Sequence, residues 1–107
     1  MNISAQELNQ AIGEYITTFP NEARLNVFLA GKYSEQIQAE IKIELSAAVR
    51  TTEELLWAQS PGVSWSNAFE QQLFSHIKSK HSWLEQQGFI SLLGFSKWLC
   101  WHEGLNA

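Results

Sequence analysis

Residues 34–50 read SEQIQAEIKIELSAAVR, and this segment is compatible with two different fold classes. Its Glu, Gln and Ala content favours a helix, in which Ile43 lies opposite an apolar stripe. That stripe is formed by Ile37, Ile41, Leu45 and Ala48. The segment also alternates between apolar and polar residues from 39 to 46, which is typical of a half-buried strand. We predict the helix; the alternative is a short β-hairpin that pairs residues 24–30 with residues 39–46.

Capping residues and chain breaks indicate helices in the rest of the chain. Ser4 and Glu7 have the spacing of a capping box. The other predicted N-caps are Asn21, Ser34, either Ser64 or Ser66, and Ser82. The strongest break is Ser60-Pro61-Gly62, and Gly88 and Gly104 are predicted helix ends. The predicted helical segments are residues 4–18, 22–30, 34–50, 51–59, 65–79, 83–87 and 91–103.

The length bounds the number of domains. A chain of 107 residues has the size of one domain and can bury a core without a metal or a disulfide. We therefore predict an all-α fold, a single compact domain of five to seven helices over residues 1–107. We expect the aromatic C-terminal helices to form most of the core.

The five tryptophans all lie in the second half of the chain: Trp57, Trp65, Trp83, Trp98 and Trp101. A domain of this size rarely encloses five indoles. We expect three to be largely buried and at least one, Trp57 or Trp83, to be substantially exposed. Trp65, Trp98 and Trp101 lie on or beside apolar helical stripes, for which packing is a sufficient explanation. The candidate binding residues are Trp57, Trp83, Trp101 and His102.

No catalytic group is predicted. Cys100 and His102 are close in sequence, but residues two apart on a helix point about 200° away from each other. The pair therefore cannot act as nucleophile and base, and we expect Cys100 to be a small core residue. Glu40 and Glu44 are one helical turn apart, without a second set of ligands or acids to complete a site. We expect them on a solvated helix face.

No metal or cofactor is predicted either. His76 and His81 are five residues apart, whereas ligands on one helix are spaced by three or four residues. His102 can join them only through tertiary structure. Lys78 and Lys80 form a basic patch with His76 and His81, and such cations are typical of the end of a helix, where the helix dipole favours them.

Charge and composition exclude several classes of partner. The net charge is −4 and the chain has only seven Lys and Arg, so we predict no nucleic-acid partner. No apolar run approaches the ~20 residues that span a bilayer, and MNISAQELNQ lacks the features of a signal peptide. The single cysteine, Cys100, suits a reducing compartment. We expect a cytoplasmic protein that does not bind membranes.

These observations favour a binding protein over an enzyme. Only 17% of the residues are charged, so we expect either a surface completed by Ser, Gln, Asn and Thr or a surface that is partly covered by a partner. The first hypothesis is a non-enzymatic protein-binding module: an acidic inhibitor of the immunity-protein or antitoxin type, or a homodimeric interaction protein. The alternative is a small-ligand-binding domain, which requires at least two indoles that converge on one pocket.

Overall fold

Five helices form the whole of the regular structure in residues 3–107, which are the residues that the computed structural model describes. They are α1 (Ala5–Tyr15), α2 (Glu22–Leu29), α3 (Glu35–Trp57), α4 (Asn67–Lys80) and α5 (Gln86–Glu103). The all-α prediction is confirmed. The β-hairpin alternative is wrong, because residues 24–30 belong to α2 and its C-cap and residues 39–46 lie inside α3.

Four of the predicted N-caps are present. In each, the side-chain oxygen of the cap accepts a hydrogen bond from the backbone N–H three residues later, which satisfies one of the free donors of the first turn. These caps are Ser4, Asn21, Ser34 and Ser66. The Glu7 carboxylate also accepts the backbone N–H of Ser4 at 3.3 Å, which completes the capping box.

Two predicted helix boundaries are wrong. The expected break between residues 50 and 51 is absent, because α3 continues through Thr51 and Thr52. The Thr52 hydroxyl donates to the Ala48 carbonyl at 2.8 Å, so it is satisfied inside the helix. The predicted short helix over residues 83–87 is also absent, and Gly88 lies within α5 instead of ending a helix.

The core is built mainly from leucine and isoleucine. The largest fully buried side chains are Leu8, Ile12, Ile16, Leu25, Leu29, Ile41, Leu45, Leu56, Leu73, Ile77, Leu84 and Leu92. Burying each of them contributes about 1.5–3 kcal/mol. They come from all five helices and from the loops after α1 and α4, so the expectation that the aromatic C-terminal helices form most of the core is wrong. Helix α1 packs against α2, α3 and α5, and α3 also packs against α4 and α5.

Asn9 of α1 connects this helix to the start of α5. Its amide nitrogen donates to the carbonyls of Ala5 and Trp83, both at 2.8 Å. Its oxygen accepts from the backbone N–H groups of Glu85 at 2.9 Å and Gly88 at 3.1 Å. Glu85 is the N-cap of α5 but makes no side-chain capping bond. The Asn9 side chain therefore caps α5 from a different helix.

Gly88 is required by this contact. A Cβ atom at this position would lie 2.4 Å from the Asn9 oxygen and 3.0 Å from the nearest Ile12 methyl carbon. No side chain fits in that space unless α1 moves. The glycine thus marks a close approach of two helices, and this is why it does not end the helix.

The loop between α3 and α4 is joined to the C-terminal tail. The Val63 N–H donates to the Leu105 carbonyl at 2.8 Å, and the Ala107 N–H donates to the Val63 carbonyl at 2.9 Å. The Trp65 indole N–H donates to the Asn106 side chain at 3.0 Å. These bonds hold the segment after the Ser60-Pro61-Gly62 break against the end of α5.

The Asn9 contact gives a first prediction. Asn9→Ala leaves the Trp83 carbonyl and two N–H groups of α5 without partners in the interior, so we expect the free energy of unfolding to fall by about 2–4 kcal/mol. Asn26→Ala is the matched control, because Asn26 is an exposed residue of α2. Its effect should stay within about 0.5 kcal/mol. Urea unfolding followed by circular dichroism measures both; similar losses would contradict the role of Asn9.

Candidate functional site

The candidate binding residues differ widely in their exposure. Trp83 is buried, with only 9% of its surface exposed. Trp57 is 55% exposed at the end of α3, in agreement with its expected exposure. Trp101 is 73% exposed, which packing inside the chain does not explain. Trp65 and Trp98 are partly buried and pack against the core. Trp65, Trp83 and Trp98 are therefore three largely buried indoles, as expected.

Trp83 and Trp57 do not belong to one site. The Trp83 indole N–H donates to the Glu44 carboxylate at 3.0 Å. Glu44 and Trp57 are thirteen positions apart on α3, which is about 20 Å along a helix axis. His102 follows Trp101 on α5 and is exposed. The structure thus places Trp101 and His102 side by side and separates Trp83 from Trp57.

A second group of polar side chains surrounds His81, just after α4. The Thr51 hydroxyl lies 2.8 Å from His81 Nε2. Glu44 Oε1 lies 3.9 Å from His81 Nδ1 and also accepts the Trp83 indole N–H. Glu44 was expected on a solvated face and His81 in a basic patch, and neither expectation describes these contacts. The sequence does contain a signal: Glu44 and Thr51 are seven residues apart, so they share one face of α3.

Thr51, His81 and Glu44 supply a hydroxyl, an imidazole and a carboxylate in this order. Some enzymes use the same order of groups, in which the imidazole activates the hydroxyl as a nucleophile. Here, however, Thr51 and His81 are both buried. The 3.9 Å separation between His81 and Glu44 exceeds the length of a hydrogen bond. The groove between α4 and α5, described below, is not lined by these residues. The group therefore joins the segment 81–85 to α3.

The lysine at the end of α4 supports the same segment. Lys78 Nζ donates to the Leu84 carbonyl at 2.6 Å and lies 3.1 Å from the Glu85 carboxylate. Lys78 and Lys80 lie in the last turn of α4, in agreement with the sequence interpretation, but the carbonyl that Lys78 binds belongs to the loop after this helix. Lys78 is therefore engaged within the chain.

A row of exposed residues runs along α5, which we call the outer face. It consists of Gln87, Ile90, Gly94, Lys97 and Trp101. The spacing of three or four residues places them on one side of the helix. Ile90 is 68% exposed. A Cβ atom at Gly94 would meet no other atom within 4 Å, so the middle of the outer face is open to solvent.

Aromatic rings border the outer face towards the loop after α1. The Trp98 ring stacks on His102, with 4.7 Å between ring centroids and 18° between planes. Phe19, from the α1–α2 loop, lies 5.3 Å from Trp98 and is half exposed. The imidazole, the indole and the phenyl ring therefore form a continuous aromatic border that ends beside Trp101.

The opposite border contains the charge of the outer face. Lys97 Nζ lies 3.2 Å from the Glu70 carboxylate of α4 and 5.6 Å from the centre of the Trp65 ring. Lys97 is the only Lys, Arg or Glu between Gln86 and His102. Because its charge is paired with Glu70, the outer face is electrically close to neutral.

A groove lies between α4 and the first turns of α5. Its volume is about 360 Å³. It is lined by Asn67, Glu70, Gln71, Phe74, Ser75, Gln86 and Phe89. Phe74 and Phe89 meet edge to face at 5.0 Å. No tryptophan lines this groove, so it does not supply the convergent indoles that the small-ligand hypothesis requires.

The remaining candidate groups are the Cys100 thiol, which is buried, and the possible metal ligands, which do not cluster in the described part of the chain. Cys100 is fully buried, which agrees with its expected place in the core, and burial raises the pKa of its thiol. Within residues 3–107, no three His, Cys or Glu side chains lie close enough together to hold a metal ion. None of the helices in this part of the chain is long and apolar enough to cross a bilayer.

Compared with protein-family models, curated proteins and solved structures, the chain has no match.

The buried imidazole gives a prediction for pH. Burial lowers the pKa of His81 below the ordinary histidine value of about 6.5, and the nearby Glu44 carboxylate opposes this shift only in part. The unfolded chain then binds more protons than the folded chain between the two pKa values. The contribution of His81 to stability is therefore present above about pH 6.5 and decreases as the pH falls below it.

Urea unfolding between pH 7.5 and pH 5.5 measures this loss. His81→Gln should reduce the decrease in the free energy of unfolding over that range. His76→Gln is the control, because it retains His81 and should keep the dependence of the wild type. An unchanged dependence in His81→Gln would show that other groups cause it.

Proposed function

We propose that this protein is a non-enzymatic protein-binding module whose binding surface is the outer face of α5. The observation that carries the proposal is that α5 is apolar on both sides, although only one side is covered within the chain. Its covered side consists of Phe89, Leu92, Phe95, Leu99 and Cys100. Its uncovered side exposes Ile90 and Trp101, with Leu93 and Trp98 half-buried beside them.

A helix that is apolar all round is normally buried on every side. Helices at the surface of a monomer carry charged residues on their outer side, as α3 does with Glu40, Arg50 and Glu54, which are all at least partly exposed. Over the seventeen positions from Gln86 to His102, α5 has one lysine, and that lysine is paired with Glu70. A covering partner accounts for this composition.

The aromatic border supports the same surface. Tryptophan is enriched among the residues that dominate binding energy, because a large rigid ring gains contact area at a small entropic cost. Trp98 is already held in place by Phe19 and His102. The neighbouring Trp101 indole is free of aromatic partners among the described residues and projects from the outer face.

Gly94 would allow a partner to approach the backbone of α5 closely. A glycine inside a helix costs about 1 kcal/mol relative to alanine. At Gly88 the close approach of Asn9 explains the glycine, but at Gly94 no atom of the described chain lies within reach of a Cβ. A partner that packs directly on the backbone at this position gives the glycine a function.

The local charges indicate what kind of partner fits. Two carboxylates near the outer face are paired, Glu70 with Lys97 and Glu85 with Lys78, and the exposed Glu103 at the end of α5 lies on the opposite side of the helix. The outer face itself therefore offers no free acidic group to a basic toxin, although the whole chain carries −4. Within the proposed function, an apolar and uncharged partner surface fits better than the basic partner of an acidic inhibitor.

We place this module in the cytoplasm. The support is the single cysteine, Cys100, which can form no disulfide within the chain and so suits a reducing compartment.

Site-specific photo-crosslinking tests the proposed surface. Ile90 and Ile43 are replaced, one at a time, by p-benzoylphenylalanine in cells of the source organism. The two isoleucines are matched, because they are 68% and 69% exposed and lie on different helices, α5 and α3. We expect a discrete protein adduct from position 90 and little or none from position 43. Equal yields at both positions, or no adduct at position 90, would contradict the proposal.

A further inference from the structure

We infer that the partner on the outer face is a second copy of this chain, with the two α5 helices antiparallel about a two-fold axis beside Gly94. The inference rests on the proposed function and adds the identity of the partner. Its basis is the charge, the spacing and the size of the outer face.

Charge is the first argument. The exposed Ile90 and Trp101 and the paired Lys97 favour an occupant with an apolar surface and no local net charge. The outer face of another copy has these properties itself. Two-fold symmetric interfaces use the same patch on both copies and are the commonest in soluble oligomers.

Spacing is the second argument. When two α5 helices run antiparallel with their Gly94 residues opposite, positions at equal distances before and after Gly94 face each other. Ile90 of one copy then meets Trp98 of the other, and Gln87 meets Trp101. Each large indole is opposite a smaller side chain, and Gly94 opposite Gly94 leaves room for the two backbones to approach.

The same register avoids like charges near the axis. Lys97 of one copy faces Ser91 of the other, and His102 faces Gln86. In a parallel pair Lys97 would face Lys97, so the charges favour the antiparallel orientation. The two helix dipoles are also opposed in this orientation, which is favourable.

Size sets the expected affinity. A large aromatic side chain can bury roughly 150–250 Å². With Trp101 and Ile90 mostly exposed and Phe19 and Trp98 partly so, each copy offers several hundred Å². A stable interface buries about 800 Å² per partner, so this one is at or below the low end. We expect a reversible dimer with a Kd on the order of 10 µM.

Sedimentation equilibrium tests the inference. Between 1 and 500 µM, the mass should rise from 12.2 kDa towards twice that value. Gly94→Glu and Ile90→Ser should each raise the dimer Kd at least tenfold, while circular dichroism remains unchanged because both positions are exposed. Ile43→Ser is the matched control and should leave the Kd unchanged. Because each copy carries −4, added salt should lower the Kd slightly by screening the repulsion.

The orientation is tested by cysteine crosslinking under mild oxidation. Gly94→Cys lies at the axis and should form a disulfide-linked dimer. Gln87→Cys lies two turns from the axis and should not, because an antiparallel pair places it opposite Trp101. Efficient crosslinking through Gln87→Cys would show a parallel pair and overturn the proposed arrangement.

The results separate this inference from the proposed function. A chain that stays monomeric at 500 µM overturns the inference. If position 90 still crosslinks to a different protein, the proposed function stands; if it crosslinks to nothing, both fail. A dimer that is weakened by Ile43→Ser, or not by Gly94→Glu, uses another surface and also overturns the inference.

Discussion

The position of α5 depends on the side chain of Asn9. This one buried amide satisfies two N–H groups at the start of α5 and the carbonyl of Trp83 before it. Since α5 has no capping side chain of its own, the angle and depth at which it packs on α1 are set from outside the helix. Gly88 is the complementary requirement, because only a residue without a Cβ permits this approach. Which side of α5 reaches solvent follows from this arrangement.

The segment between α4 and α5 is bound by residues of three helices, and these contacts also fix the position of α5. Asn9 binds it from α1, Thr51 and Glu44 contact it from α3, and Lys78 binds it from α4. A loop with this many internal hydrogen bonds is a fixed part of the core. The long apolar helix that follows therefore starts from a rigid base, and its outer face has a defined shape for a partner.

Local signals in the sequence were sufficient for the fold class and for most helix starts. Caps such as Ser4 and Ser34 act within one turn, so their effect can be inferred from spacing alone. The place of Gly88 inside α5 depends on Asn9, and the partner of the buried Thr51 hydroxyl is His81; both are distant in sequence. The exposure of Trp101 was not predicted for a related reason: α5 carries apolar side chains on all sides, so its pattern does not show that Trp101 faces away from the core.

The packing of α1 on α5 has a consequence for the order of folding. Asn9 and its partner Trp83 are 74 residues apart in the chain. At synthesis rates of 5–20 residues per second, Trp83 is synthesised roughly 4–15 s after Asn9. During this time the side of α1 that packs on α5 in the folded chain has no native packing partner, since α2 and α3 contact other parts of α1. The chain therefore completes its core late, and its earliest helix is the last to be fully enclosed.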